Sequence, residues 1–291
     1  MRLATIKINE TEQAAVFLED RYYSLEQINN QYNKTGDITI LGIIQNEQLE
    51  ELTEWFNSEG KVALRDLPIE VSLSKEEVIY SPLYRYPSKI WGIGLNYVDH
   101  ASDLNEIAPQ EEPASFMKPT TSVIGMNDTI QIPKQSNRTT AEAELGVIIG
   151  KKCKDVSESD AQHYIAGFTT IIDMTAEDIL QKNPRYLTRS KSFDTFFSFG
   201  PQLVTPDEVE DVMQLKVSTI KNKTEVRSNI VQNMTFNPWF LVSFHSEVMT
   251  LLPGDIISTG TPGAIVINDG DEVECQIDGF EVLRNRVRDL K

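Results

Sequence analysis

The chain has 291 residues, of which 40% are hydrophobic and 24% are charged, and this composition is typical of a soluble globular protein. Its formal net charge of −17 repels a phosphate backbone, so we do not expect a nucleic acid partner. Two cysteines are too few for a disulfide framework, and no apolar run reaches the roughly 18 residues of a membrane span. We therefore expect a cytoplasmic protein that does not interact with membranes.

Residues 1–85 are predicted to form a small N-terminal α/β domain followed by a linker. Short strand-like and helical patterns alternate in this part of the chain. Residues 40–44 (ILGII) predict a strand, and the spacing of apolar residues in 48–56 predicts a helix. Prolines in residues 80–87 interrupt both helix and sheet, which indicates the linker.

Residues 86–291 are predicted to form a β-rich α+β domain. Short strands are indicated at 89–94, 144–150, 167–173, 202–205, 215–220, 255–260 and 272–277. Helical patterns cover 157–166, 176–182 and 238–250. Because these strands do not alternate regularly with helices, a doubly wound parallel sheet is not expected.

Two acidic residues lie on one face of a predicted strand. In residues 141–150, Glu142 and Glu144 alternate with the apolar residues that point to the opposite face. Two neighbouring carboxylates repel each other, and a bound cation would offset this repulsion. Oxygen ligands suit hard ions such as Mg²⁺, Mn²⁺ or Ca²⁺. A solvated face of an edge strand is an equally good interpretation of the pattern.

A third carboxylate, Asp173, follows the apolar run 168–172, which predicts a buried strand. An acid in this position suits a third metal ligand, although an Asp that binds the backbone of a turn is the alternative. Thr175 is predicted to cap the helix that follows. Neither histidine nor cysteine lies near these acids in the sequence, which disfavours zinc.

Three further residues are candidates for the chemistry. Lys191 lies in the aromatic-rich segment 189–200, where it either stays on the surface or neutralises the carboxylates and holds an anionic substrate. His100 and Asp103 are three residues apart, so they can touch on a helical turn. A carboxylate that orients a histidine makes a general base, but a purely structural pair has the same spacing.

Taken together, segments of residues 89–287 resemble the fumarylacetoacetate hydrolase family in an ordered series. The matching segments are 94–100 (GLNYVDH), 116–119 (FMKP), 142–150 (EAELGVIIG), 167–173 (GFTTIID), 191–195 (KSFDT), 252–255 (LPGD), 259–263 (TGTPG) and 283–285 (LRN). Each segment alone is a weak signal, but their order makes the set specific.

The resemblance implies a mixed β-sandwich roll that is usually a homodimer. It implies a Mg²⁺ or Mn²⁺ ion held by Glu142, Glu144 and Asp173. It also implies that Lys191 and Thr261 contact the substrate, and that the segment around His100 and Asp103, as far as about residue 115, is a lid. Members of the family hydrolyse C–C bonds of acylpyruvates or fumarylacetoacetate-like substrates, decarboxylate oxo-acids or interconvert keto and enol forms, and C–C bond hydrolysis is the reaction that we expect first. In each case the metal grips a small oxo-acid and stabilises its enolate.

The sequence departs from the family pattern at three positions. The acid after the lid histidine is usually Glu, whereas this chain has Asp103. Glu177 and Leu180 stand where many members have Arg and Gln, which puts a hydrolase-type substrate in doubt. Residues 183–187 instead resemble the 2-keto-3-deoxy sugar-acid dehydratases. A dehydratase and a non-catalytic regulatory protein are therefore the alternatives to the oxo-acid enzyme.

Overall fold

The computed structural model describes residues 1–98 and 108–291. The predicted residues His100 and Asp103, and most of the predicted lid, lie outside the described residues. The strands are β1 (Arg2–Ile8), β2 (Thr11–Leu18), β3 (Arg21–Ser24), β4 (Leu73–Ser74), β5 (Ile90–Gly94), β6 (Ala114–Lys118), β7 (Val123–Ile124), β8 (Thr129–Ile132), β9 (Thr139–Ile149), β10 (Ile165–Ala176), β11 (Phe197–Val204), β12 (Lys216–Lys221), β13 (Thr224–Ile230), β14 (Ile256–Ser258), β15 (Ile265–Ile267), β16 (Glu272–Ile277) and β17 (Leu283–Asp289). The α-helices are α1 (Leu25–Tyr32), α2 (Ile40–Gln45), α3 (Leu49–Trp55), α4 (Lys61–Arg65), α5 (Glu177–Lys182), α6 (Leu187–Lys191) and α7 (Pro238–Val248).

The long antiparallel pair β9 and β10 lies inside the larger sheet. That sheet has the order β4-β3-β2-β1-β11-β10-β9-β14-β5-β6, with β15 pairing with β9 and β7 with β11. Every residue of β9 and β10 is buried. The pairing places Asp173 opposite Glu142 and Ile171 opposite Glu144. The predicted acids are therefore brought together by the register of two neighbouring strands.

The N-terminal strands extend this same sheet, because β1 pairs with β11. Helices α2 and α3 come after these strands in the sequence. Their apolar residues share a core cluster with residues of β1, β10 and β11. The division into residues 1–85 and 86–291 stays a prediction.

A smaller sheet packs against the middle of the larger one. Its order is β13-β12-β16-β17-β8, and β12 and β16 contact β9. Apolar residues of β9 such as Leu145 and Val147 share a core cluster with Val217, Val273 and Leu283 of the smaller sheet. The burial of one face of β9 in this core leaves its other face for the carboxylates.

The β-rich α+β fold predicted from the sequence is confirmed. All seven predicted strands of the C-terminal part are present, and helices occur as expected at Leu49–Trp55, Glu177–Lys182 and Pro238–Val248. No helix among residues 1–98 and 108–291 is long and apolar enough to cross a membrane.

Two predictions of element type are wrong. Residues 40–44 form the start of helix α2 instead of a strand, because Thr39 caps the backbone N–H of Gly42 and the buried residues Ile40, Ile43 and Ile44 have helical spacing. The predicted helix at 157–166 is reduced to a single 3₁₀ turn at Ala161–Tyr164, and strand β10 begins directly after it.

Candidate active site

Three buried carboxylates converge on one face of the β9–β10 pair. Ligand oxygens of Glu142, Glu144 and Asp173 all lie within 4.8 Å of one another. The side chain of Asp173 is fully buried, and Glu142 and Glu144 are 8% and 1% exposed. One ion could contact all three residues, and a donor set made of carboxylate oxygens suits a hard divalent cation.

Both alternative interpretations of these acids from the sequence are wrong. Glu142 and Glu144 do not lie on a solvated edge strand, because β9 is flanked by β10 on one side and by β14 and β15 on the other. Asp173 lies within strand β10 and not in a turn. Three carboxylates in such a position must be compensated by cations or hydrogen bonds.

Glu144 is oriented by the loop that follows β14. The hydroxyl of Ser258 and the backbone N–H of Gly260 both donate to Glu144 Oε2, at 2.5 Å and 2.8 Å. Even so, burial and the negative charge of Asp173 raise the pKa of Glu144 to about 8. A cation that binds next to Glu144 would favour its ionised form.

Glu142 is oriented by the neighbouring strand. The hydroxyl of Thr175 donates to Glu142 Oε1 at 2.8 Å. Thr175 lies within β10, and helix α5 begins only at Glu177, so the prediction of Thr175 as a helix cap is wrong. Its side chain binds a carboxylate of the cluster instead of the helix backbone.

Lys191, at the end of α6, is buried among the carboxylates and does not lie on the surface. Its Nζ lies 3.0 Å from Glu142 Oε2 and 2.8 Å from Asp173 Oδ2. Burial alone would lower the pKa of Lys191, but the charges of Asp173 and Glu142 outweigh burial and raise it. Lys191 therefore stays protonated and supplies a fixed positive charge to the site.

A second lysine, Lys118, was missed as a site residue. Its fully buried Nζ forms an ion pair with Asp173 Oδ1 and donates to the carbonyl oxygen of Met174 at 3.1 Å. Burial and the neighbouring charge of Lys191 lower the pKa of Lys118 to about 8, although Asp173 opposes this shift. The available signal was the alternation of β6, in which Phe116 and Lys118 point inward and Met117 points outward.

The remaining predicted residues lie near this cluster or outside the described part of the chain. Thr261 is buried directly after Gly260, and its hydroxyl is 3.2 Å from both the backbone N and the carbonyl oxygen of Gly263. Glu177 forms an ion pair with Arg138, with 2.6 Å between Oε2 and Nε. The substrate role of Thr261 and the catalytic roles of His100 and Asp103 stay predictions.

The C-terminal two thirds of the chain match a family model. Residues 89–288, more than half of the chain, match the model described as fumarylacetoacetate (FAA) hydrolase, C-terminal. The chain belongs to this family. The resemblance drawn from the ordered motifs is thereby confirmed.

Similar proteins support the same assignment. The uncharacterised protein MJ1656 of Methanocaldococcus jannaschii is 45% identical over 204 residues, which are 70% of this chain and 84% of that protein. The mitochondrial oxaloacetate tautomerase Fahd2a of Rattus norvegicus is 36% identical over 235 residues, which are 78% of this chain and 75% of that protein. Among solved structures, a 5-carboxymethyl-2-hydroxymuconate delta-isomerase from Mycobacterium smegmatis has a TM-score of 0.77 and 29% identity, and the match covers 100% of both chains.

This chain is therefore an enzyme of the fumarylacetoacetate hydrolase family. The family includes hydrolases and isomerases. Membership therefore agrees with a metal-dependent oxo-acid enzyme, but it does not determine which reaction the enzyme catalyses. The non-catalytic alternative does not fit this assignment.

The buried ion pair of Lys118 predicts a large effect on stability. In metal-free protein, Lys118→Met should lower the free energy of unfolding by about 3–5 kcal/mol, because the substitution leaves Asp173 without one of its buried cations. Urea denaturation in the presence of a chelator measures the change. Lys216→Met is the matched control, since its pair with Glu225 is about half exposed and should contribute less than about 1 kcal/mol. Equal losses in the two variants would contradict a special role of the Lys118 pair.

Proposed function

We propose that this chain is a divalent-metal-dependent enzyme that interconverts the keto and enol forms of a small 2-oxo acid. The observation that carries the proposal is the buried cluster of Glu142, Glu144 and Asp173, whose ligand oxygens lie within 4.8 Å of one another and contact two buried lysines. Such a cluster of carboxylates is costly to bury. Its use in this proposal is to hold a cation beside the two lysines, so that positive charge lies where a substrate develops negative charge.

The metal ligands in this proposal are the three carboxylates, and the ion is Mg²⁺ or Mn²⁺, with Ca²⁺ also compatible with oxygen donors. When bound, such an ion supplies a Lewis acid that favours negative charge on the carbonyl oxygen of an oxo-acid. Ser258 and Gly260 keep Glu144 in place for this role, and Thr175 does the same for Glu142.

The other residues act on the substrate and its proton. Lys191, whose side chain is 6% exposed, holds the carboxylate of the oxo-acid, whereas the side chain of Lys118 is fully buried and fixes Asp173. In the family pattern, His100 takes the proton from the carbon next to the carbonyl group while the C–H electron pair forms the C=C bond and the carbonyl electrons move to oxygen. Protonation of that oxygen gives the enol form, and in the reverse direction the oxygen loses its proton and His100 returns a proton to carbon. Asp103 orients the imidazole ring.

The names of the relatives support this choice of reaction. A tautomerase and a delta-isomerase both move a proton and a double bond without adding water. Oxaloacetate is accordingly the first substrate to test. The family description also names a hydrolase, and the same charges would stabilise the enolate released by C–C bond cleavage of an acylpyruvate or by decarboxylation. The predicted homodimer and the cytoplasmic location stay predictions.

An assay with oxaloacetate tests the proposal. With Mn²⁺ present, the purified protein should speed the decay of enol-oxaloacetate absorbance, and Glu142→Gln should reduce this rate at least about 10²-fold because one metal ligand is weakened. Glu274→Gln is the matched control, since Glu274 is as deeply buried as Glu142 but pairs with Arg284 away from the cluster. Acylpyruvate hydrolysis is followed in parallel. No turnover of either substrate class, or equal losses in both variants, would contradict the proposal.

Metal binding should be linked to the release of a proton. Because the pKa of Glu144 is raised to about 8 in the metal-free protein, this group is largely protonated at pH 7 and must ionise to bind the ion. Affinity for Mn²⁺ should therefore rise as the pH increases from 6 to 8, by up to about tenfold per pH unit. Calorimetry at pH 7 in two buffers of different ionisation enthalpy measures the proton release. Identical apparent enthalpies in the two buffers would show that no proton is released.

The proton-transfer role of His100 has its own test. His100→Ala should reduce turnover by roughly 10²–10⁴-fold, as expected for the loss of a general base, while Mn²⁺ affinity stays unchanged. The exposed residue His163 provides the control, because His163→Ala should retain full activity. A fully active His100→Ala variant would leave His100 without a catalytic role.

A further inference from the structure

Asn96 holds together three segments of chain around Glu144. Its side chain is buried, at 1% exposed. The Nδ2 group donates to the carbonyl oxygens of Phe236 and Thr259, at 2.9 Å and 2.7 Å, and Oδ1 accepts from the backbone N–H of Phe236 at 2.9 Å. The backbone carbonyl of Asn96 also accepts from Thr235. The side-chain amide is thus fully committed to the backbone of two other segments.

One of these segments is the loop that orients Glu144. Thr259 lies between Ser258 and Gly260, which together donate two hydrogen bonds to Glu144 Oε2. Thr259 itself donates to the carbonyl oxygen of Leu145 through both its backbone N–H and its hydroxyl. The bond from Asn96 to Thr259 therefore reaches the centre of the loop that binds Glu144.

The contact between Asn96 and this loop requires a glycine. Gly260 has a φ of +98°, and a Cβ atom at this position would lie 2.7 Å from the Cβ of Asn96 and 3.2 Å from the carbonyl oxygen of Ile93. Any other residue would force the loop and Asn96 apart or change the backbone conformation. Gly260, which packs against Asn96 in this way, is the residue whose N–H donates to Glu144.

The chemistry of the position suits an amide and not its close analogues. Two carbonyl oxygens and one N–H surround the side chain, so it must offer two donors and one acceptor in a planar group. An aspartate would direct a carboxylate at two carbonyl oxygens, and a leucine would leave all three backbone groups without their partner.

Asn96 also precedes the catalytic segment. Three residues of chain separate it from His100, and Tyr97 forms a β-bridge to Met234, next to the segment that Asn96 also binds. Asn96 is thus attached to the loop that orients Glu144, and Tyr97 to the neighbouring segment that contains Met234.

We propose that Asn96 is a positioning residue that couples Glu144 to the segment leading to His100, through Thr259 and Gly260. The proposal rests on the proposed function, in which Glu144 binds the metal. Asn96 touches neither the metal nor the substrate. It fixes the backbone groups that bind Glu144 relative to the start of the His100 segment. A structural change at either place therefore alters the other.

The test compares Asn96→Ala with Asn285→Ala. Asn285 is a matched control, because it is also fully buried and its Nδ2 donates to two backbone carbonyls, of Gly125 and Asp128, at 2.7 Å and 2.9 Å. Both substitutions should lower the melting temperature. Only Asn96→Ala should weaken Mn²⁺ binding measured by calorimetry, by roughly 10–100-fold. Equal affinity losses in both variants, or none in Asn96→Ala, would overturn the proposal.

Hydrogen exchange provides a readout that needs no metal. In metal-free protein, Asn96→Ala should speed amide exchange both in peptides covering 90–98 and in peptides covering 256–262, whereas Asn285→Ala should leave both unchanged. If Asn96→Ala does not fold, Asn96→Ser replaces it, since a hydroxyl can still donate to one carbonyl. In wild-type protein, Mn²⁺ should slow exchange in both regions together. Unchanged exchange at 256–262 in the Asn96 variant would refute the coupling.

The calorimetry and the hydrogen-exchange experiment together distinguish a failure of this proposal from a failure of the proposed function. If wild-type protein binds no Mn²⁺, the metal-dependent function fails, and the exchange rates of the metal-free variants still decide whether Asn96 couples the two segments. If wild-type protein binds Mn²⁺ and converts oxaloacetate but Asn96→Ala keeps wild-type affinity and exchange, the function stands and the role of Asn96 is wrong.

Discussion

The balance of charge in the β9–β10 cluster is the constraint on which the rest of the site depends. Three carboxylates buried within 4.8 Å of one another would each lose several kcal/mol of hydration without compensation. Lys118 and Lys191 supply two positive charges against the three negative charges of the ionised carboxylates. One negative charge is left uncompensated, and it favours the binding of a divalent cation. Burial, together with the negative charge of the neighbouring carboxylates, raises the pKa of Glu144 in the metal-free protein.

The fold supplies these partners from distant parts of the chain. Lys118 ends an outer strand of the main sheet, Lys191 ends a short helix, Ser258 ends β14, and Gly260 belongs to the loop after β14. Strand β14 pairs directly with β9 and helix α6 packs on β10, whereas β6 is connected to β9 through β5 and β14. The carboxylates are therefore rigid because they sit on central strands, whereas the groups that neutralise them are held by loops and strand ends.

Because the residues of the site come from distant parts of the chain, only part of the site could be predicted from the sequence. Alternation along a strand identified Glu142 and Glu144, and the ordered motifs identified the family, because both signals are local. Lys118 was missed because its partner Asp173 lies 55 residues away, and pairing over that distance leaves no local pattern. Thr175 and residues 40–44 were predicted wrongly because the local pattern allowed two interpretations in each case. Tertiary contacts decided whether Thr175 binds a helix end or a carboxylate, and isoleucines at 40, 43 and 44 suit a strand by propensity but a helix by spacing.

Position 177 is one of the places where this chain departs from the family pattern. The carboxylate cluster and its lysines provide charge stabilisation that every enolate-forming reaction of the family needs, so they do not distinguish one substrate from another. Glu177 lies two residues beyond Thr175, which binds Glu142, and its charge is balanced by Arg138. Many family members have Arg at this position, whereas this chain has an ion pair of zero net charge between Glu177 and Arg138. An anionic group of a substrate that relied on such an Arg would lose its partner here. Glu177 is not one of the three clustered carboxylates, so this departure removes none of the ion pairs between them and the two buried lysines.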